Sequence, residues 1–285
     1  MRTILFFSVF ILMLTSCTKN NPDPSWLEVN EWTLLQNANS QYPTGELTHN
    51  FTDAWVLIDD KIIGVFEVPF KIPILRSGKV NIKIIPAIRN NGIAATKKIY
   101  PFVERYEINT ELVQNETVII NPTTQYVNVT KFWLEDFEDA SLKIQNDPNS
   151  AASILKGNDP SILSWGNYYG IINLTPTDSS WVGYTDDMYL PKGEEVYLEM
   201  DYYNTKSLIT GVLAISPSGV FNNTNVMLNL QDPATVKWKK IYIDLREIIS
   251  NSASGAYFKQ SFEAQIGYDL SEGFIILDNI KVVHF

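Results

Sequence analysis

"AWVLIDDKIIGVFEV", residues 54–68, decides the fold class. Two apolar runs, 54–58 and 62–68, flank Asp59-Asp60-Lys61. A polar turn between β-rich runs predicts a hairpin. Pro69 and Pro73 follow and predict a break in the ladder, because proline has no N–H to donate. Val80 to Pro86 then alternates with period two, which puts Val80, Ile82 and Ile84 on a buried face and Asn81 and Lys83 outward. Asn90-Asn91-Gly92 reads as a turn, 97–108 as a strand region broken by Pro101, and 117–120 as a last strand before Asn121-Pro122. The expectation for 26–127 is a small β-sandwich of sequential hairpins, separable from the rest of the chain, with a protease-sensitive link near 121–126.

The second half repeats this signature. A strand over 127–134 runs into Glu135-Asp136-Phe137-Glu138-Asp139. Further strands are predicted at 168–174, 180–184, 195–203, 208–216, 226–230, 236–245, 257–268 and 274–285, with one short helical turn at 245–249. So many short strands, and almost no helical periodicity, suit a two-sheet jelly roll over 128–285. The whole chain is therefore expected to be all-β, a small sandwich followed by a jelly roll.

Composition excludes several function classes. The net charge of −10 argues against a nucleic-acid partner, which calls for a basic face. The two histidines, His49 and His284, stand far apart, and no His/Cys cluster suits zinc. No glycine-rich phosphate loop is present. Aromatic residues make up 12% of the chain, enough to serve either sheet cores or sugar-stacking surfaces.

Cys17 is the only cysteine, so no intrachain disulfide can form. Arg2, the apolar run 4–14 and the small polar Thr15-Ser16 read as a signal peptide over 1–16. The run is too short to span a bilayer, which takes about 20 apolar residues. Leu14-Thr15-Ser16-Cys17 resembles the bacterial lipobox. That resemblance implies acylation of Cys17, cleavage before it, and a lipid bilayer as partner. Acyl chains contribute about 0.8 kcal/mol per buried CH₂, and two or more hold a protein firmly. Residues 17–25, with Pro22 and Pro24, read as the lipidated tether. In Bacteroidota-type lipoproteins sent to the cell surface, acidic residues follow the cysteine closely. Here Lys19 is followed by Asn20 and Asn21, with Asp23 alone. The expected location is the outer membrane, with the surface and periplasmic faces both left open.

Two further resemblances follow from quoted motifs. Residues 55–86, "WVLIDDKIIGVFEVPFKIPILRSGKVNIKIIP", resemble Ig-like and PEGA-like modules of envelope proteins, which act as spacers or docking units. "FWLEDFED" (132–139), "VKWKKIYIDL" (236–245) and "GFIILDNIKVVHF" (273–285) are similar to jelly-roll carbohydrate-binding modules of the galactose-binding-like type. That second resemblance implies a structural calcium ion between Glu138 and Asp278, assisted by Asp136 or Asp139. Calcium takes about six to eight oxygen ligands. The other reading leaves these acids as solvated strand ends.

The candidate sugar platform is the aromatic set Trp165, Tyr168, Tyr169, Trp181, Tyr184 and Tyr189, which sits among Gly, Asn and Asp. Sheet packing is expected to claim at least half of it. In 238–244, the even residues Trp238, Lys240, Tyr242 and Asp244 share one strand face, and Ile241 and Ile243 take the core face. Trp238 is expected to cover the sandwich edge rather than bind. Asp136 and Glu138, at i and i+2 on a strand, would stand about 6.8 Å apart, a separation that glycosidases use. Acidic pairs at strand ends are common, however, and neither histidine lies in a nucleophile context. Three functions are weighed: a non-catalytic glycan-binding lipoprotein, which leads; a structural or docking subunit of an envelope complex, with a protein partner; and a glycoside hydrolase.

Overall fold

The hairpin at residues 54–68 is present in the computed structural model, which describes residues 23–268 and 270–285. In chain order the first half folds as β1 (Ser25–Val29), β2 (Thr33–Leu35), β3 (Asp53–Ile58), β4 (Lys61–Glu67), β5 (Phe70–Ile74), β6 (Gly78–Arg89), β7 (Lys97–Ile99), β8 (Tyr106–Leu112), β9 (Thr117–Ile120) and β10 (Thr123–Gln125). The β3–β4 turn is tighter than expected. Asp59 and Asp60, at φ 47° and 63°, make it alone, and Lys61 already pairs with Ile58. Two left-handed residues match the twist of the flanking strands, and aspartate tolerates that conformation.

β6 is the spine of this half. It pairs with β3 along one side and with β7 and β8 in succession along the other. Val80, Ile82 and Ile84 are buried on its inner face, as the period-two pattern predicts. Across from this sheet lies β5-β1-β9, in which β1 runs antiparallel to β5 and parallel to β9. The expected break at Pro69 is present, since β4 ends at Glu67 and β5 starts at Phe70, but the one expected at Pro73 does not occur. Pro73 sits in β5 opposite Trp26, and β5 is an edge strand where a missing N–H costs no ladder bond.

The second half folds as β11 (Lys131–Glu135), β12 (Ile144–Asn146), β13 (Ile154–Gly157), β14 (Tyr169–Leu174), β15 (Ser180–Thr185), β16 (Val196–Asn204), β17 (Leu208–Ser216), β18 (Gly219–Leu228), β19 (Lys239–Asp244), the short helix α1 (Arg246–Asn251), β20 (Tyr257–Gln265) and β21 (Gly273–His284). One sheet runs β13-β14-β21-β16-β19, with β11 beside β14 along β21. The facing sheet runs β12-β15-β20-β17-β18. Trp181, Phe262, Ile172, Leu198, Ile243 and Leu277 fill the space between them. The chain is thus all-β, a small sandwich followed by a jelly roll. β18 starts earlier than expected, because Pro217-Ser218 turns β17 directly back on itself. The strand at 127–134 starts later and ends at Glu135, because Phe137 turns left-handed at φ 59°.

The halves meet face to face. Tyr197, Tyr242 and Val283, on the outer face of the β21-β16-β19 sheet, belong to the same apolar cluster as Tyr100, Phe102 and Tyr126 of the first half. This explains why β16, β19 and β21 are buried on both faces, where a single core face was expected for β19. The segment expected to be a protease-sensitive link carries a strand. β10 pairs with β2, and Tyr126 is buried.

Candidate functional site

β19 is the edge strand of its sheet, and the first half is built onto that edge. The Asn91 N–H donates to the Tyr242 carbonyl at 2.9 Å, and the Asn91 side-chain oxygen accepts from the Asp244 N–H at 2.9 Å. The Asn50 side chain donates to the Lys240 carbonyl at 3.1 Å, and its N–H to the Tyr242 hydroxyl at 3.0 Å. Covering an edge in this way removes free pairing groups. Gly92 permits the approach: its φ is +73°, and a Cβ there would stand 3.2 Å from Ile241.

Beside this docked edge opens a cleft of about 810 Å³. One wall is the segment before β3 (Leu47 to Asn50) together with Arg89 and Gly92. The other is Trp165, Asp201, Tyr202 and the approach to β19 from Lys237. Trp165 and Trp238 meet edge to face at an interplanar angle of 67°, with ring centroids 5.3 Å apart. The Trp238 indole N–H donates to the Ile162 carbonyl at 2.8 Å and so fixes the loop that carries Trp165. On the cleft floor, Thr48 donates to Asp201 at 2.5 Å, and Lys240 stands 3.6 Å from the same carboxylate.

Behind the floor lies a buried charge cluster. Glu199 is fully buried and accepts from the hydroxyls of Tyr100 and Tyr126, with Lys240 at 3.3 Å. Burial opposes its ionisation, yet Lys240, Lys281 and the two phenols outweigh burial and hold its pKa below the usual carboxylate value. Burial, reinforced by Lys240, pushes the Lys281 ammonium down to about 8, with Glu199 and Asp201 opposing. Its Nζ donates to the Glu46 carbonyl at 2.8 Å.

The structure separates the aromatic set. Trp165 lies in the cleft. Tyr169 and Trp181 are core residues, and the Trp181 indole donates to Asn146 at 2.8 Å. Tyr184 is half-buried on β15. Tyr168 is exposed, with the Lys156 ammonium 4.7 Å from its ring centre, and Tyr189 is exposed beside Tyr257. Trp238, expected to cover the sandwich edge, lines the cleft instead, because the first half builds a second wall opposite it. Tyr202 and His49 join the site without any local sequence signal. Cys17 lies outside the described residues.

The acidic set gathers only in part. Glu138 accepts from the N–H groups of Asn167 and Tyr168, at 2.6 and 3.0 Å, and from the Asn167 side chain. Asp139 is exposed and pairs with Lys143 at 2.9 Å. Asp136 and Glu138 lie beyond the end of β11, so they do not share a strand face as expected. Asp278 is buried, and no ion pair reaches it among the described residues. Burial raises its pKa to about 8; the N–H of its neighbour Asn279 opposes this, and the charges of Asp201, Asp136 and Glu138 add to it. Beside it, both polar atoms of the Asn279 side chain are buried without a partner. Among the described residues, no three metal-binding side chains already stand at ligating separations.

No protein-family model and no curated protein matches the sequence. Solved structures match at low similarity. A study of promiscuous carbohydrate-binding modules of the β-sandwich superfamily provides one match, at 13% identity and TM-score 0.40, covering 81% of this chain and 84% of that one. A family 11 carbohydrate-binding module from Clostridium thermocellum, in complex with a β-1,3-1,4-mixed-linked tetrasaccharide, aligns at 15% identity and TM-score 0.35, over 54% and 94%. The enzymatically active domain of bacteriophage CBA120 tailspike protein 4 aligns at 11% identity and TM-score 0.36, over 49% of this chain and only 18% of that one.

Proposed function

We propose that the protein is a non-catalytic glycan-binding component of a bacterial envelope, held to the membrane by acylated Cys17, and that the cleft between its halves is the binding site. The observation that carries this reading is the Trp165–Trp238 pair set in a cleft of about 810 Å³ beside hydrogen-bonding side chains. Aromatic faces in a concave site, with a few placed polar groups, suit the alternating C–H faces and hydroxyls of a sugar. Sites of this kind concentrate where two structural units meet. The lipobox-like 14–17 supports the anchor, and among the described residues no helix is long and apolar enough to cross a membrane. In this reading Asp278, Asp136 and Glu138 would hold a calcium ion that cross-links the end of β11 to β21, a structural role. Titrating the purified full chain with an oligosaccharide panel, followed by tryptophan fluorescence, tests the site. The expected result is saturable quenching by at least one glycan, lost in Trp165→Ala. Quenching that survives Trp165→Ala would move the site elsewhere.

A further inference from the structure

The two ends of the first half differ in what they carry. At one end Asn115 receives the incoming chain. Its N–H donates to the Pro24 carbonyl at 2.9 Å, and its side chain donates to Asp23 at 3.2 Å. Ser25 then opens β1, and its hydroxyl donates to the Arg76 carbonyl at 2.7 Å. β5 ends with Ile74 opposite Ser25, and β8 ends with Leu112 opposite Gly78, where β6 begins. The turns 75–77 and 113–116 therefore lie together around the entry of the chain. Each carries an exposed aliphatic residue, Leu75 at 68% and Val113 at 42%.

The opposite end carries the cleft. β6 runs from Gly78 at the entry end to Arg89, which lines the cleft. The 11 steps from 78 to 89, at a strand rise of about 3.3 Å, cover about 36 Å. β3 starts at the same far end, with Asp53 opposite Ala87, so the cleft wall just before it lies there too.

Cys17 stands six residues before Asp23. At about 3.5 Å per residue, that length of chain spans about 20 Å at most. An acyl group on Cys17 thus holds the entry end within reach of the bilayer. The cleft end would meet lipid only if the sandwich lay on its side. Arg76 is paired with Asp59 in the adjacent hairpin, so this end offers lipid two aliphatic tips rather than a free basic patch.

We infer that Leu75 and Val113 enter the headgroup region of the bilayer that holds the acyl chains, so that the first half stands upright and presents the cleft away from lipid. This rests on the anchor reading given above. Interfacial apolar groups sit about 5–10 Å into the boundary between headgroups and acyl chains. The acyl chains supply the attachment, and the two tips set the orientation.

The test reconstitutes the full acylated chain into phosphatidylcholine vesicles that contain nitroxide lipids. With Cys17 acylated, one introduced cysteine accepts one fluorophore. Ser77→Cys reports the entry end, and Ile93→Cys, exposed next to Gly92 of the cleft, reports the other. The expected result is quenching of the label at 77 and none at 93. Leu75→Asp combined with Val113→Asp should still float with the vesicles, should melt as the wild type does, and should lose the quenching at 77. Flotation with equal quenching at 77 and 93, or with quenching at 77 that survives the double substitution, would overturn the lipid contact and leave the anchor standing. A chain that does not float would overturn both.

Discussion

The hydroxyl of Tyr126 lies 2.9 Å from both carboxylate oxygens of Glu199. Tyr126 closes the first half of the chain, and Glu199 sits in the middle of β16 in the second. Both are buried, at a junction whose apolar cluster draws on both halves. Glu199 is also the counter-charge of Lys240 and sits in the field of Lys281. The junction thus combines a shared core with a charge network that is satisfied only when the halves are docked.

Glu199→Ala should therefore destabilise the whole chain. It takes from Lys240 and Lys281 a buried carboxylate and leaves them Asp201 alone, and breaking a buried pair from one side costs about 3–5 kcal/mol. Tyr126→Phe removes one hydrogen bond to a charged group and should cost about 1.5–3 kcal/mol. Urea unfolding followed by circular dichroism measures both, and the wild type should unfold in one transition. An unchanged midpoint for Glu199→Ala would show that the two halves do not dock through this cluster.

Trp181 and Trp165 look equivalent in the sequence, and they should respond oppositely to truncation. Trp181 is fully buried, stacks on Phe262 and donates to Asn146. Trp181→Ala should cost about 3–5 kcal/mol, as large-to-small core changes do. Trp165 is half-buried on a loop, and Trp165→Ala should shift stability by less than about 1 kcal/mol while removing glycan binding. Thermal melts beside binding titrations separate the two. A Trp181→Ala protein that melts like the wild type would place that ring outside the core.

Local patterns are legible in this sequence and non-local ones are not. Val80, Ile82 and Ile84 alternate because one face of β6 is core, and period two records that directly. Asp59-Asp60 marks a hairpin because turn chemistry depends only on adjacent residues. Pro73 misleads because nothing nearby reveals that β5 is an edge strand. β1 carries no local signal because its five residues are recruited by β5 and by the distant, parallel β9. The cleft is the hardest to see. It joins residues from Leu47 to Tyr242, and its second wall exists only after docking. The same docking buries Glu199, Lys240 and Lys281 on a strand face that their charges would assign to solvent.

Cys17→Ala should move the protein from the membrane fraction to the soluble fraction, since the proposed acyl chains supply the anchoring energy. Labelled palmitate should enter the wild type and not the variant. Membrane association that persists in the variant, together with an unlabelled wild type, would refute the anchor.

The last prediction concerns pH. Burial raises the Asp278 pKa to about 8 in the folded chain, from an ordinary value of 3.8. Between these values the folded state holds the extra proton, so stability is full below about pH 4 and falls as pH rises towards 8. Lys281 is lowered to about 8 from 10.5. Between these values the unfolded state holds the extra proton, so stability rises again from pH 8 to about 10.5. Together the two groups should produce a stability minimum near pH 8. A tenfold change in proton affinity corresponds to about 1.4 kcal/mol, so the Asp278 limb is on the order of 6 kcal/mol at most. In chelator, Asp278→Asn should flatten the acid limb and melt above the wild type at pH 8, while matching it near pH 4. Calcium would hold Asp278 ionised, so millimolar calcium should flatten the same limb in the wild type and leave Asp278→Asn unmoved. Melting curves from pH 4 to 10, with and without chelator, measure both effects. If wild type and Asp278→Asn run parallel across that range in chelator, the buried carboxyl is not the source of the limb. If calcium then moves neither protein, Asp278 and Glu138 do not share an ion.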